Sequence, residues 1–340
     1  MRAITMRADR FVDVEDVPEP SPGDGDLLVE AVAVGVCGTD RWLLQHDPSL
    51  PPGSDRLVLG HESLGRVLYA PPGSGFEPGN SVVGMVRRAD PVPCRACVAG
   101  DLDLCENGAY SERGIVRSDG FASERYALLA DEAVRVDPAL GLGAVLIEPT
   151  SVVAKAWEQI DRVARCPVRR VLVFGAGPIG LLAALIGVQR GCEVHVHDQI
   201  ADGPKPIQAR TIGAFYHPTL ATLDAKFDAV LECTGALVGD AITMTAAGGT
   251  TCLVGLGQVQ AGSLPSLEAV ARAITLQNKV VAGINGTNRR HFESAHEVLR
   301  RADRSLLLGL LGPCVKVDDW RRAMEAPPSA IKPVIRFGDA

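Results

Sequence analysis

A short apolar run, Val171-Leu-Val-Phe174, passes directly into Gly175-Ala-Gly-Pro-Ile-Gly180 and then into a second apolar stretch, 181–189. Few folds use three glycines at that spacing between a strand and a helix. Gly175 permits a tight turn, Gly177 lets the backbone approach a ligand, and Gly180 lets the helix lie close on its sheet. Pro178 and Ile179 open the helix, and its free N–H groups attract an anion such as a dinucleotide pyrophosphate. Alone the pattern is weak, because glycines also punctuate plain turns. Asp198 strengthens it, standing twenty-one residues after Gly177 at the end of the next apolar run. A carboxylate there accepts hydrogen bonds from ribose hydroxyls and repels a 2′-phosphate, so NAD is expected in preference to NADP. Lys205, seven residues further on, is the one nearby cation that could meet a phosphate.

Around this motif, apolar runs at 171–174, 193–197, 214–216, 229–232, 251–254 and 280–283 alternate with helical stretches. Short buried strands alternating with helices predict a doubly wound parallel sheet of the Rossmann type. A helix over 151–163 leads into it, and another over 291–301 follows. The first 150 residues have a different texture, dense in Gly and Pro. Runs such as 27–34 and 81–85 are separated by turn signals such as Ser21-Pro22-Gly23 and Pro71-Pro72-Gly73, which reads as a mainly β domain. A last apolar run, 334–337, is placed to return to that domain as a strand. The expected division is therefore 1–152 with 287–340 for the β domain and 153–286 for the dinucleotide domain. A chain of 340 residues can bury a core in each.

Lys and Arg total 34 against 41 Asp and Glu, without a long basic run, so neither nucleic acid nor a membrane surface is an expected partner. No run of eighteen apolar residues occurs and the first ten residues carry charges, which points to the cytoplasm. In that compartment the nine cysteines read as thiols, some of them metal ligands.

Three scattered residues suit a catalytic zinc, which takes three protein ligands from Cys, His and carboxylate and leaves a fourth position open. They are Cys37 in Val36-Cys-Gly-Thr-Asp40, His61 in Gly60-His-Glu62, and Glu148 in Ile147-Glu-Pro149. Each also has a plainer reading: a small buried residue, a hydrogen-bonded core histidine, and an acid at a helix start. Val58-Leu-Gly-His-Glu-Ser-Leu-Gly-Arg-Val67, with Glu77-Pro-Gly-Asn-Ser-Val-Val-Gly84, resembles the GHExxGxV and GDxV pattern of the zinc-containing medium-chain dehydrogenase/reductase superfamily. Cys37-Gly-Thr-Asp40 resembles its first-ligand motif. Val86-Arg-Arg88, Glu112-Arg-Gly114, Asp119-Gly-Phe121, Leu146-Ile-Glu-Pro149 and His291-Phe292 resemble the microbial glucose 1-dehydrogenase branch.

The resemblance implies a GroES-like catalytic domain beside the Rossmann domain, the active site in the cleft between them, and Cys37, His61 and Glu148 as ligands of the catalytic zinc. Glu62 would hold the metal-bound water or bind zinc transiently. A zinc so held would let a substrate hydroxyl lose its proton near neutral pH and pass a hydride to the nicotinamide. Thr39 matches the family's first proton acceptor. Where many relatives carry a relay histidine, this chain has Arg41 and Trp42, with His46 as the nearest substitute.

Cys94, Cys97 and Cys105 resemble the last three ligands of the superfamily's structural zinc lobe, with Pro91 at the place of the first. Asp90 is the neighbour able to complete the tetrahedron, failing which the lobe is metal-free or disulfide-bonded. Cys166, Cys192, Cys233, Cys252 and Cys314 read as small buried residues. For the substrate, the resemblance offers Thr39, Glu112, Glu148, Asn285 and His291 as hydrogen-bonding groups. Val152 and Met85 replace a carboxylate and an amide of the glucose-specific pattern, which points to another sugar, an amino sugar or a cyclitol. Two other readings compete: a zinc-free quinone or enoyl reductase, and a non-catalytic dinucleotide-binding protein. Relatives pair the edge that 280–283 resembles, so a homo-dimer or homo-tetramer is expected.

Overall fold

The computed structural model describes residues 1–338 apart from 24, 224 and 258–265. It divides into two compact units. The first comprises Met1–Glu148, Gly286–Pro327 and Lys332–Ala340; the second comprises Pro149–Asn285 and Pro328–Ile331.

The first unit is built on a seven-stranded sheet. Its order is Ala133–Arg135, Ser81–Gly84, Glu62–Tyr69, Asp26–Gly35, Lys332–Arg336 and Leu311–Lys316, with Arg125–Leu129 also pairing the long strand Asp26–Gly35. Two three-stranded sheets accompany it, Val12–Asp16 with Arg2–Arg7 and Arg56–Val58, and Arg87–Arg88 with Ser111–Arg113 and Arg117–Ser118. The chain's last strand does return to this unit: Val334, Ile335 and Arg336 lie antiparallel to Gly35, Val34 and Ala33. Burial explains the return, since Val334 and Ile335 are covered and Ile335 joins the cluster formed by Ile4, Leu57, Leu59 and Trp320.

The second unit carries six parallel strands in the order Phe215–His217, Glu193–His197, Arg170–Phe174, Phe227–Glu232, Thr245–Leu253 and Val280–Gly283. The chain starts in the middle, winds to one edge, returns and winds to the other, which is the doubly wound arrangement read from the alternating pattern. The helix Pro178–Gln189 has Gly177 at its N-cap and Pro178 in its first turn, and its middle is buried on every side. Strand Thr245–Leu253 begins six residues earlier than its apolar run suggests. Thr245 bonds Thr251 through their side-chain oxygens at 2.7 Å, so the chain loops back between them about Gly248, at φ +73, before the ladder resumes at Thr250.

Among the described residues, Pro138–Val163 is the one helical segment long and apolar enough to be weighed as a membrane span, and most of it is buried inside the fold as a core helix is. All nine cysteines are free thiols. Cys252 is buried as expected, but Cys166 and Cys314 are exposed. Cys166 sits in the loop after helix Ile147–Val163, and Cys314 lies on the outermost strand of the large sheet, where one strand edge has no neighbour among the described residues.

A β-carbon on Gly180 would overlap the carbonyl oxygen of Gly175, so helix and turn meet only because position 180 has no side chain. Gly180→Ala is expected to cost about 3 kcal/mol of stability by overpacking, measured by urea unfolding, and to weaken dinucleotide binding in a titration.

Candidate active site

Cys37 is the N-cap of a six-residue helix, Gly38–Leu43. Its Sγ accepts from the Thr39 N–H at 3.2 Å, while the Asp40 Oδ2 accepts from the Cys37 N–H at 2.8 Å. This reciprocal cap directs the thiol out of the turn. His61 follows Gly60, which takes φ +84 between strands Arg56–Val58 and Glu62–Tyr69. A side chain at Gly60 would strike Val34 and Ala122 as well as straining that left-handed turn. The turn delivers the His61 Nε2 to 3.2 Å from the Cys37 Sγ. On the other side of the ring, Nδ1 is 3.2 Å from the Asp40 Oδ1, an ion-pair distance that falls short of a well-aligned hydrogen bond. Asp40 thus holds the backbone of one candidate ligand and faces the far nitrogen of the other, the arrangement in which a carboxylate orients a metal-binding imidazole.

Glu62 points into the same cluster. Cys37, His61 and Glu62 bring one donor atom each within 4.8 Å of one another. Both Glu62 oxygens accept from Lys332 Nζ, at 2.5 and 2.6 Å, and Lys332 also donates to the Val36 carbonyl at 3.2 Å. Lys332 is wholly buried. The compact donor group therefore contains Glu62 where the family resemblance puts Glu148. Glu148 stands outside that 4.8 Å group but inside its field. Burial pushes its carboxyl up to about 7, with Glu62 and Asp40 adding to the rise and His61 and Lys332 opposing it. Burial disfavours a charged His61, yet Asp40 and Cys37 outweigh it and hold the imidazole well above its ordinary range.

The donor chemistry fits zinc. A thiol, an imidazole nitrogen and a buried carboxyl are the mixed ligand types of catalytic sites. Burial first, with Glu62 and Asp40 adding to it, raises the Glu148 carboxyl, and a divalent cation beside it would favour the charged form.

The cysteine lobe forms a second donor group, with the Sγ atoms of Cys94, Cys97 and Cys105 within 4.8 Å of one another. Asp90 is buried beside it, its Oδ2 4.0 Å from the Cys105 Sγ. The Cys94 thiol is lowered to about 7, chiefly by the Glu106 N–H.

The substrate candidates separate. The Glu112 Oε1 accepts from Arg87 Nε at 3.0 Å and Nη2 at 2.7 Å, with Arg87 lying over the Tyr110 ring. His291 is buried, and its Nδ1 accepts from the Asn288 N–H at the start of helix Arg289–Arg300, so that nitrogen is committed to a helix cap. Asn285 is exposed at the end of the second unit, its carbonyl accepting from Lys155. In that unit Asp198 accepts from the N–H of Ala176 within the glycine turn at 2.8 Å, from the Ile200 N–H at 3.0 Å and from Lys205 Nζ at 2.9 Å. Gly175, Gly177, Pro178, Ile179 and Gly180 form the turn and first helical residues beside it.

With this geometry in view, similarity to known proteins decides the family. Residues 142–337 match the glucose dehydrogenase C-terminus family model, and residues 23–138 match the alcohol dehydrogenase GroES-like domain. A glucose 1-dehydrogenase of Methanocella arvoryzae is 34% identical, with 99% of each chain covered. The chain belongs to the glucose dehydrogenase family of zinc-containing medium-chain dehydrogenases. A second relative in that family, the glucose 1-dehydrogenase of Thermoproteus tenax, is 35% identical over 90% of each chain. Among solved structures, the Haloferax mediterranei glucose dehydrogenase in complex with NADP, Zn and gluconolactone superposes with a TM-score of 0.90 at 26% identity, covering all of both chains.

Lys332, Asp40 and Arg87 escaped the sequence reading. Lys332 had a signal: a lone charge opening the otherwise apolar run Pro333-Val-Ile335. Asp40 lay within a quoted motif, but the sequence carried no hint that it would face His61. Removing Lys332 leaves Glu62 as an uncompensated buried charge. Lys332→Met is expected to cost about 3–5 kcal/mol in chemical unfolding, whereas Lys332→Met with Glu62→Leu recovers most of it.

Proposed function

We propose that this enzyme is a zinc-dependent dehydrogenase passing a hydride between a nicotinamide dinucleotide and a secondary hydroxyl or ketone of a sugar, amino sugar or cyclitol. The observation that carries the reading is the Cys37–His61 pair, backed by Asp40 and flanked by two carboxyls, the buried Glu62 held by Lys332 and the half-buried Glu148. Cys37, His61 and Glu148 are the residues that would hold the catalytic zinc. With both oxygens bonded to Lys332, Glu62 is engaged, which favours Glu148 as the third ligand and leaves Glu62 to shape the open position. Bound zinc supplies the Lewis acidity that eases loss of the substrate's hydroxyl proton. Thr39, two residues from Cys37 on the same helix, accepts that proton. Glu112, oriented by Arg87, accepts hydrogen bonds from substrate hydroxyls further from the reacting carbon, and Thr39, Asn285 and His291 are the other residues assigned to that surface. A zinc-free reductase makes no use of Cys37, His61 and Glu148 together.

For the cofactor, the glycine turn 175–180 takes the pyrophosphate and Asp198 the adenosine ribose, with NAD preferred. Lys205 is the nearby cation available for a 2′-phosphate, and its ammonium is spent on Asp198. The Haloferax relative with NADP shows that the fold also serves the phosphorylated cofactor, so the preference rests on these two residues. The cysteine lobe takes a structural zinc on Cys94, Cys97 and Cys105 with Asp90 as fourth ligand. Strand Val280–Gly283 pairs on one side alone among the described residues, and its other edge suits association of two or four copies.

Metal analysis tests the core of the reading. Wild type is expected to carry about two zinc ions per chain. Cys37→Ser should lose one of them, and kcat/KM for sugars should fall about a thousandfold or more; zinc content and activity unaltered by Cys37→Ser would sink the mechanism. For the cofactor, kcat/KM is expected to be higher with NAD than with NADP. Asp198→Ala should narrow or reverse that ratio by about tenfold or more through the lost ribose contacts. A wild-type ratio already favouring NADP would refute the preference.

A further inference from the structure

Helix Gly38–Leu43 turns Asp40 and Leu43 inward, where both are buried, and leaves Trp42 on its outer side. Trp42 is 53% exposed, whereas Trp157 and Trp320 are 2% and 4% exposed. The indole is nonetheless held. His46 stacks on it with ring centroids 4.0 Å apart and planes 15° from parallel, and its Nδ1 is fixed 2.7 Å from the Trp42 carbonyl oxygen. Arg10 braces the following turn from the first hairpin, donating to the Gln45 carbonyl at 3.3 Å and standing 4.0 Å from Asp47. Leaving so large an apolar surface in water forgoes burial that the other two tryptophans obtain. The stacked pair is therefore a fixed aromatic plane on the surface of the catalytic unit.

Its place says what it meets. Thr39 and Trp42 are three residues apart on one helix, so their side chains are neighbours. The residues that follow the indole are polar and exposed, Gln45, His46 and Asp47, and the His46 Nε2 remains after Nδ1 turns to the backbone. An apolar plane with hydrogen-bonding groups at its edge matches a pyranose ring, which offers C–H bonds on its face and hydroxyls around its perimeter. An aliphatic ligand would leave those groups unpaired.

We infer that Trp42 and His46 form a stacking subsite for a second sugar ring, so that the preferred substrate is a disaccharide or glycoside whose reacting ring lies at Thr39. The inference rests on the sugar dehydrogenase reading above and names the substrate class more narrowly.

Trp42 is the exposed tryptophan, so its emission reports the subsite directly. Zinc-loaded enzyme without dinucleotide should change its tryptophan emission and lose acrylamide quenching when titrated with methyl β-maltoside or methyl β-cellobioside. Trp42→Ala should remove the response and Trp42→Phe should keep part of it. In turnover with NAD, at least one of maltose, cellobiose and lactose should have a lower KM than its monosaccharide. Trp42→Ala should raise that KM about tenfold more than the KM for glucose, with His46→Ala acting in the same direction. The proposal is overturned by no emission change with any disaccharide glycoside. Equal KM effects on mono- and disaccharides overturn it too, as do emission changes produced by NAD alone or by dilution, which would assign the indole to the cofactor or to a subunit contact. Full glucose oxidation alongside any of those results would leave the dehydrogenase reading standing and remove only the second-ring subsite.

Discussion

The first unit is organised around one buried charge balance. Cys37, Asp40, His61, Glu62, Glu148 and Lys332 come from distant parts of the chain, and no two of the four acidic or thiol groups could be buried together without compensation. Lys332 supplies one positive charge to Glu62, and His61, facing Asp40, supplies a second when protonated. What remains is a surplus of acidic donors facing the Cys37 Sγ and the His61 Nε2. Burial pushes Glu148 to about 7 in that surrounding, whereas Asp40, which is fully buried, is pulled below its usual range because His61 and the Cys37 N–H outweigh the cost of burial. Two carboxyls in one cluster are thus driven apart, one kept ionised to orient an imidazole and the other left dependent on an arriving cation.

The sheet serves this cluster more than it serves itself. The strand Lys332–Arg336 lies against Asp26–Gly35, and its first residue carries the lysine that Glu62 requires. Gly35, across from Glu62 in the adjacent pair, must lack a side chain because a β-carbon there would run into the Glu62 carboxylate. A C-terminal strand that looks like simple hydrophobic closure therefore also completes the candidate site, which ties proper folding of Lys332–Arg336 to metal binding.

The parts of the molecule governed by short-range pattern were legible in the sequence. The six parallel strands follow from apolar runs of three to five residues, and the glycine turn from its spacing. Cys37 and His61 were identifiable as candidate ligands through motifs that fix the local backbone, a capping turn for one and a left-handed glycine for the other. What stayed hidden depends on tertiary pairing. Glu112 reads as a free acid until Arg87 is seen on it, and His291 as a pocket residue until its Nδ1 is seen capping a helix. Lys332 reads as surface because lysine usually is; only its 270-residue separation from Glu62 closing to a hydrogen bond reveals otherwise. Strand Thr245–Leu253 was read short for a related reason, since Thr245 pairs with Phe227 ahead of a bulge and the ladder resumes only at Thr250, a break that an apolar pattern does not register.

Asp198 shows how a single carboxylate can join folding to specificity. One oxygen accepts from Ala176 inside the glycine turn and from Lys205, the other from Ile200, so the turn and the loop after the second strand are both anchored on it. Burial alone would raise its pKa, and the backbone N–H groups and Lys205 reverse that to keep it ionised. A residue that must stay charged to hold the turn is thereby already charged for the ribose contact proposed for it. Exchanging it to admit a 2′-phosphate would remove the repulsion but also free Ala176 and strand Lys205 in a largely buried position. A change of cofactor preference at this site that leaves the turn anchored accordingly needs a substitution that still accepts from Ala176 while releasing Lys205, which an asparagine satisfies in shape, whereas an alanine shifts the preference at the expense of the turn.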